Sequence, residues 1–266
     1  MPRTQELADI GACDDKPRRR RCRRSGMSLG MMLLQKGFGE LVSVLMICLL
    51  AVYARAIASG AGAVLGAYEF GAGFMAVVFA VSVIFGQYGT GFGAFHVLLA
   101  SFLYDENRAR GFSAEVVWSH VVIAIVQIGA WFLAAFLASV LLPDPTFNRA
   151  MALTPELAGY PLFCVFVFEL LGKMLIDHVY VFSSQAYNGV WGAFANSVLL
   201  GALVAILGPL TGGSLNFFRS LGPHVIEGSV ATLAIVPHVI SEIVAPILTV
   251  IIKVLLFPGS GKNKQN

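Results

Sequence analysis

The chain has 266 residues, 57% of them hydrophobic and only 12% charged, with a mean hydropathy of +0.78. Soluble domains run at roughly 45–50% apolar and 25% charged residues, so a water-soluble globular fold is excluded and the chain reads as an integral membrane protein. Its net charge of +3 sits in juxtamembrane segments and is not a nucleic-acid footprint.

The chain opens with a polar, basic stretch, and residues 1–35 read as a disordered cytoplasmic tail. Seven of the eighteen Lys and Arg lie between Lys16 and Arg24, and no apolar stretch precedes a small-residue cleavage site, so this is not a secretory signal peptide. Apolar stretches sufficient to cross a core of roughly 30 Å follow at 39–59, 71–91, 115–142, 159–183, 189–209 and 229–257. The basic run places the N-terminus in the cytoplasm. Six spans return the C-terminal tail, 258–266, to the same side, together with Arg108, Arg110, Lys262 and Lys264. The basic run also suits contact with anionic lipid.

Between spans two and three, Gly89-Thr90-Gly91-Phe92-Gly93-Ala94 precedes a short apolar segment, 97–104. Between spans five and six, a break from Gly208 to Gly213 precedes another, 216–221. Both segments are too short to cross the bilayer. The first helix of each half carries a lone early glutamate, Glu40 in Phe38-Gly39-Glu40-Leu41 and Glu169 in Phe168-Glu169-Leu170. Three helices and a re-entrant half-helix, repeated with odd parity, make an inverted repeat, over about 36–142 and 159–257. Inverted halves bring the positive N-terminal ends of the half-helices together near the midplane. Such a centre disfavours cations and tolerates water and uncharged solutes.

The second break reads Thr211-Gly212-Gly213-Ser214-Leu215-Asn216-Phe217-Phe218-Arg219-Ser220-Leu221-Gly222-Pro223. It resembles the second signature loop of the aquaporin (major intrinsic protein) family, Gly-Gly-Ser-x-Asn-Pro-Ala-Arg-Ser-x-Gly-Pro, with Phe217 and Phe218 in place of Pro and Ala. Span three carries Gln127-Ile128-Gly129, similar to a pattern of the family's third helix. The resemblance implies an all-α membrane fold of six transmembrane helices and two re-entrant half-helices over 36–257, in an unorthodox member with degenerate motifs. It implies Arg219 as the selectivity-filter arginine and Gly213 as the small filter position. Val204 stands where water-selective members place a histidine, and Val77 stands at the helix-two filter position. The first signature triplet corresponds to Val97, Leu98 and Leu99, so its asparagine is missing. Glu40 and Glu169 correspond to glutamates that brace the loops by accepting backbone N–H groups.

The resemblance implies a passive channel for water or small uncharged solutes such as glycerol, ammonia or hydrogen peroxide. It implies a homotetramer in plasma or intracellular membrane, with no cofactor and no enzymatic activity. Two other readings stand beside it: a non-conducting scaffold in which Phe217 and Phe218 close the pore, and a proton-coupled carrier using the buried charges. No Gly-x-x-x-x-Gly-Lys-Ser/Thr loop marks an energy source.

The remaining polar residues carry smaller expectations. Glu169, Lys173 and Asp177 recur at i, i+4 and i+8 on one face of span four, a spacing for internal ion pairs. His96 beside the first triplet reads as a histidine satisfied by loop carbonyls or as a titrating gate. His238 and Glu242 at i, i+4 are two ligands where a metal site needs three or four. His120, His178 and His224 form no pattern with Cys or carboxylates. Cys13, Cys22, Cys48 and Cys164 have the spacing of neither a metal site nor a disulfide framework, and Cys22 inside the basic run is a candidate for palmitoylation.

Overall fold

The computed structural model describes residues 29–52, 66–85, 94–104, 114–141, 160–183, 189–226 and 235–256. The basic run, Cys13 and Cys22, positions 89–93 of the first glycine-rich break, Arg108, Arg110 and the C-terminal tail lie outside the described residues.

Among the described residues the chain forms α1 (Leu29–Ile47), α2 (Ala67–Phe85), a short α3 (Phe95–Tyr104), α4 (Ala114–Leu141), α5 (Leu162–Asp177), α6 (Gly189–Thr211), a short α7 (Phe217–Ile226) and α8 (Val236–Leu256). α1 begins ten residues ahead of the predicted span start. The second break is narrower than the composition suggests, because α6 carries through Gly208 and Pro209 and closes with Gly212 N donating to Gly208 O. α1 and α5, the first helices of the two halves, each run on into a π-helical turn, Cys48–Val52 and His178–Ser183.

Five of these helices, α1, α2, α4, α6 and α8, are long and apolar enough to cross a bilayer. α5 has only 16 α-helical residues and carries Glu169, Lys173 and Asp177. Its π turn extends the helical run to Ser183, which brings it to the roughly 20 residues a span needs.

Burial is inverted relative to a soluble protein. Leu34, Phe163 and Leu255 are 75%, 71% and 71% exposed, while Glu40, Glu169, Lys173 and Asp177 are 0% exposed. Apolar side chains outward and ionisable ones inward is the arrangement a hydrocarbon solvent imposes. The protein is a multi-pass integral membrane protein.

Packing is reciprocal between the halves. α1 packs on α4 within the first half, and α5 on α8 within the second. Each short helix crosses over: α3 packs on α8, and α7 on α4. The two second helices, α2 and α6, meet at glycines. A Cβ on Gly71 would lie 2.6 Å from Gly201 O, and one on Gly201 would lie 2.7 Å from Gly71 O. Small residues at such a crossing let the backbones approach closely where lipid offers no hydrophobic driving force.

Candidate functional site

The reciprocal packing leaves a cavity of about 50 Å³ between the halves, room for a short file of water-sized molecules. Every helix except α8 contributes to its wall. The apolar part comes from Phe74 and Val78 of α2, Trp131 of α4 and Val204 of α6. The polar part comes from His96, the Gly213–Asn216 loop and Arg219. Ile47 and Ile176, which stand just before the two π turns, also line it.

The polar wall follows from the backbone of the second break. Gly212, Gly213 and Leu215 have φ of 79°, 58° and 46°, left-handed values that two glycines accept freely and Leu215 adopts at a cost of roughly 1–2 kcal/mol. This turn aims carbonyls at the guanidinium of α7: Arg219 Nη1 donates to Gly213 O and, at 3.3 Å, to Ser214 O. The oxygens on one side and the cation on the other fix the arginine across the cavity wall. Three bonds brace the strained loop. Leu215 N donates to Glu169 Oε2 at 3.0 Å, Thr211 Oγ1 donates to Glu169 Oε1 at 2.6 Å, and Ser220 Oγ donates to Ser214 Oγ at 2.6 Å.

The two short helices approach with their N-terminal ends. α7 is capped by its own sequence: Asn216 Oδ1 accepts from Phe218 N at 2.9 Å, the expected N-cap geometry. This bond assigns the amide orientation and makes the NH₂ edge a donor. The residue before α3 is Ala94, which has no acceptor to offer. The equivalent N–H, that of His96, donates instead to Glu242 Oε1 of α8 at 3.0 Å. The other oxygen, Glu242 Oε2, accepts from Phe217 N at 3.1 Å. One carboxylate therefore bridges the ends of both short helices.

Behind that bridge lies a buried ionic network. Lys173 Nζ donates to Glu242 Oε2 at 3.0 Å, Ser241 Oγ at 2.8 Å and His238 O at 3.0 Å. Ser241 spends its own proton on His238 O, so all three partners act as acceptors and all three ammonium protons are committed. His96 Nε2 lies 3.0 Å from the Leu215 carbonyl and must carry a proton to bond it. Its Nδ1 is 2.6 Å from Asp177 Oδ1, a contact that needs one shared proton, so this pair is neutral overall. His238 Nδ1 lies 3.3 Å from Glu169 Oε2, close enough to interact electrostatically but not aligned for a hydrogen bond. In the first half, Glu40 Oε1 accepts from Gln127 Nε2 at 2.6 Å.

These placements sort the sequence expectations. Val204, Gly213, Asn216 and Arg219 meet at the cavity. Val77 does not line it and packs against Val78, Val81 and Ile47; Phe74, nearly one turn earlier, faces the cavity. Val97 and Leu98 are buried and also off the wall, because α3 starts at Phe95 and puts Ala94 and His96 at the cavity. Leu99 lines an apolar groove between α3 and α4. Phe217 and Phe218 are absent from the wall. Phe218 packs on the cluster of Val44 and Trp131, edge-on to Phe95 at 5.8 Å between centroids.

The α5 charges do not pair mainly along their own helix: Lys173 is 3.8 Å from Glu169 but closer to α8, and Asp177 reaches α3. The side chains of His238 and Glu242 face different groups, Glu169 and Lys173, and no group of three metal-ligating side chains occurs among the described residues. Sequence reasoning missed Phe74, Trp131 and the bridging role of Glu242. The signal for the last was a carboxylate in an apolar span, which must find a partner. Cys48 and Cys164 are free thiols.

Comparison with solved structures finds the same fold in the X-ray structure of the aquaglyceroporin from Plasmodium falciparum, with a TM-score of 0.64 and 14% identity, over 85% of this chain and 98% of that one. No protein-family model and no curated protein matches the sequence. The fold is aquaporin-like, all-α and membrane-embedded.

Proposed function

We propose that the protein is a passive transmembrane channel for small uncharged solutes of the water and glycerol class. The observation that carries this reading is the cavity at the meeting of the two short helices, whose wall combines Arg219 and the Gly213–Asn216 loop with Phe74, Trp131, Val78 and Val204. A fixed cation with hydrogen-bonding groups suits a passing hydroxyl, and it repels cations. The apolar and aromatic remainder of the wall suits a carbon chain better than a file of water alone. Glycerol fits that division of the wall, and the aquaglyceroporin fold supports it. Gly213, Val204 and Arg219 form the selective constriction together with Phe74, and Glu169 holds its loop in place. Both termini face the cytoplasm, and four copies assemble through their apolar outer faces.

The test is stopped-flow light scattering on proteoliposomes. Glycerol and water permeation above empty vesicles is expected, and Arg219→Val should retain or raise glycerol flux while admitting cations. A correctly inserted protein that passes neither solute overturns the channel in favour of a scaffold. Saturable flux driven by a proton gradient overturns it in favour of a carrier.

A further inference from the structure

α3 and α7 are ten-residue helices whose N-terminal ends each carry the equivalent of roughly half an elementary charge. Glu242 accepts an N–H from both ends. A full negative charge at that junction matches the two positive ends combined and, alone, would cancel the positive centre that turns cations away. Lys173 stands 3.0 Å from the same carboxylate with all three protons engaged on acceptors. Glu169, a second carboxylate that accepts from Thr211 and Leu215 N with His238 beside it, lies 3.8 Å from the same Lys173 Nζ, so its charge adds to the one the ammonium offsets. The His96–Asp177 pair is neutral overall, and Arg219 is held at the loop carbonyls.

We propose that Lys173 determines ion exclusion in this channel. By neutralising Glu242 it preserves the positive centre of the half-helix ends, so that the pore passes uncharged solutes and rejects protons and other cations. Neither Lys173 nor Glu242 lines the cavity, so the effect acts through the field and not by contact with the permeant. The inference rests on the channel reading above.

The experiment measures proton leak with an internal pH dye under a potassium–valinomycin potential, and glycerol flux on the same proteoliposomes, read as their ratio. Lys173→Met should raise that ratio about tenfold, the factor set by a unit charge on the order of 10 Å from a permeating ion at an effective dielectric near 20. Lys173→Met combined with Glu242→Gln should return it to the parent value, since both charges are gone. Glu242→Gln alone should keep proton leak low and raise chloride leak, and it decides the matter if Lys173→Met does not assemble. A proton-tight Lys173→Met that still passes glycerol overturns the proposal alone. So does a double variant as leaky as the single one, which would make lost packing the cause, or a Glu242→Gln that leaks protons. A parent without glycerol flux and a Lys173→Met without proton leak remove the channel reading and the proposal together.

Discussion

Phe218→Ala separates an open pore from one plugged by the ring at the start of α7. Phe218 is half-buried and touches the Val44, Trp131 cluster, with Phe95 edge-on at 5.8 Å and Phe217 at 5.2 Å between centroids. A fully buried Phe→Ala change costs about 3–5 kcal/mol. Half of that is about 2 kcal/mol, and loss of the edge-on pair adds roughly 0.5–1.5 kcal/mol. The sum is about 2.5–3.5 kcal/mol, which corresponds to a fall in Tm on the order of 5–14 °C. Thermal unfolding of the detergent-solubilised protein reads the stability, and stopped-flow permeation reads the pore. The expected outcome is a less stable protein whose flux per inserted molecule does not rise. A Phe218→Ala protein of parental Tm with raised glycerol or water flux would refute the reasoning, because it would place the ring in the conducting path.

Four further substitutions test the scaffold around the cavity. Gly201→Ala drives a methyl against Gly71 O and Met75 Cβ, each 2.7 Å away, and should cost about 1–3 kcal/mol in thermal unfolding. Gly172→Ala meets only the side-chain tips of Leu215 and Leu207 and gains up to about 1 kcal/mol of helix propensity, so its Tm should stay near the parent's; an equal loss in both would undo the distinction between backbone and side-chain obstruction. Glu169→Gln replaces one of two accepting oxygens with a donor, leaving Thr211 or Leu215 N without its partner. It should cost about 1–3 kcal/mol and lower glycerol flux, measured by the same two assays. Ala94→Asn supplies α3 with the cap that Asn216 gives α7, worth about 1 kcal/mol. Its benefit should be larger in a Glu242→Gln background, and simple additivity in that double-mutant cycle would show that the two groups do not serve the same N–H.

The architecture was legible because hydrocarbon solvent leaves few choices. Apolar length located the spans, and glycines at 212 and 213 marked the break that the φ values now explain. Glu169 was readable as a loop brace because the resemblance carried its role, and Leu215 N donates to it. Register was harder. Val77 and Phe74 differ by three positions within an unbroken apolar run, 70–81, and no polar residue there distinguished one face from the next. Val97 was misplaced for the same reason: the first triplet has no Asn, Pro or Ala to anchor its alignment, and α3 begins two residues earlier. The ionic network escaped because its partners are remote in sequence. The Glu242 contact to His96 spans 146 positions, whereas the i, i+4 spacing on α5 drew attention to pairs within one helix.

The two half-helices show why that network exists. At α7, Asn216 satisfies the N–H two residues on. At α3, Ala94 cannot, and a buried unpaired N–H costs about 1–3 kcal/mol. Glu242 takes that bond from another helix and, being a carboxylate, accepts a second from Phe217. A carboxylate buried among apolar spans then requires a cation, and Lys173 meets the requirement while tying α5 to α8 through Ser241 and His238. Glu242 and Lys173 thus each answer a need created by the step before, starting from a missing side-chain acceptor at position 94. The lack of an acceptor at position 94 is offset by a buried ion pair whose balance lies at the mouth of both helix dipoles.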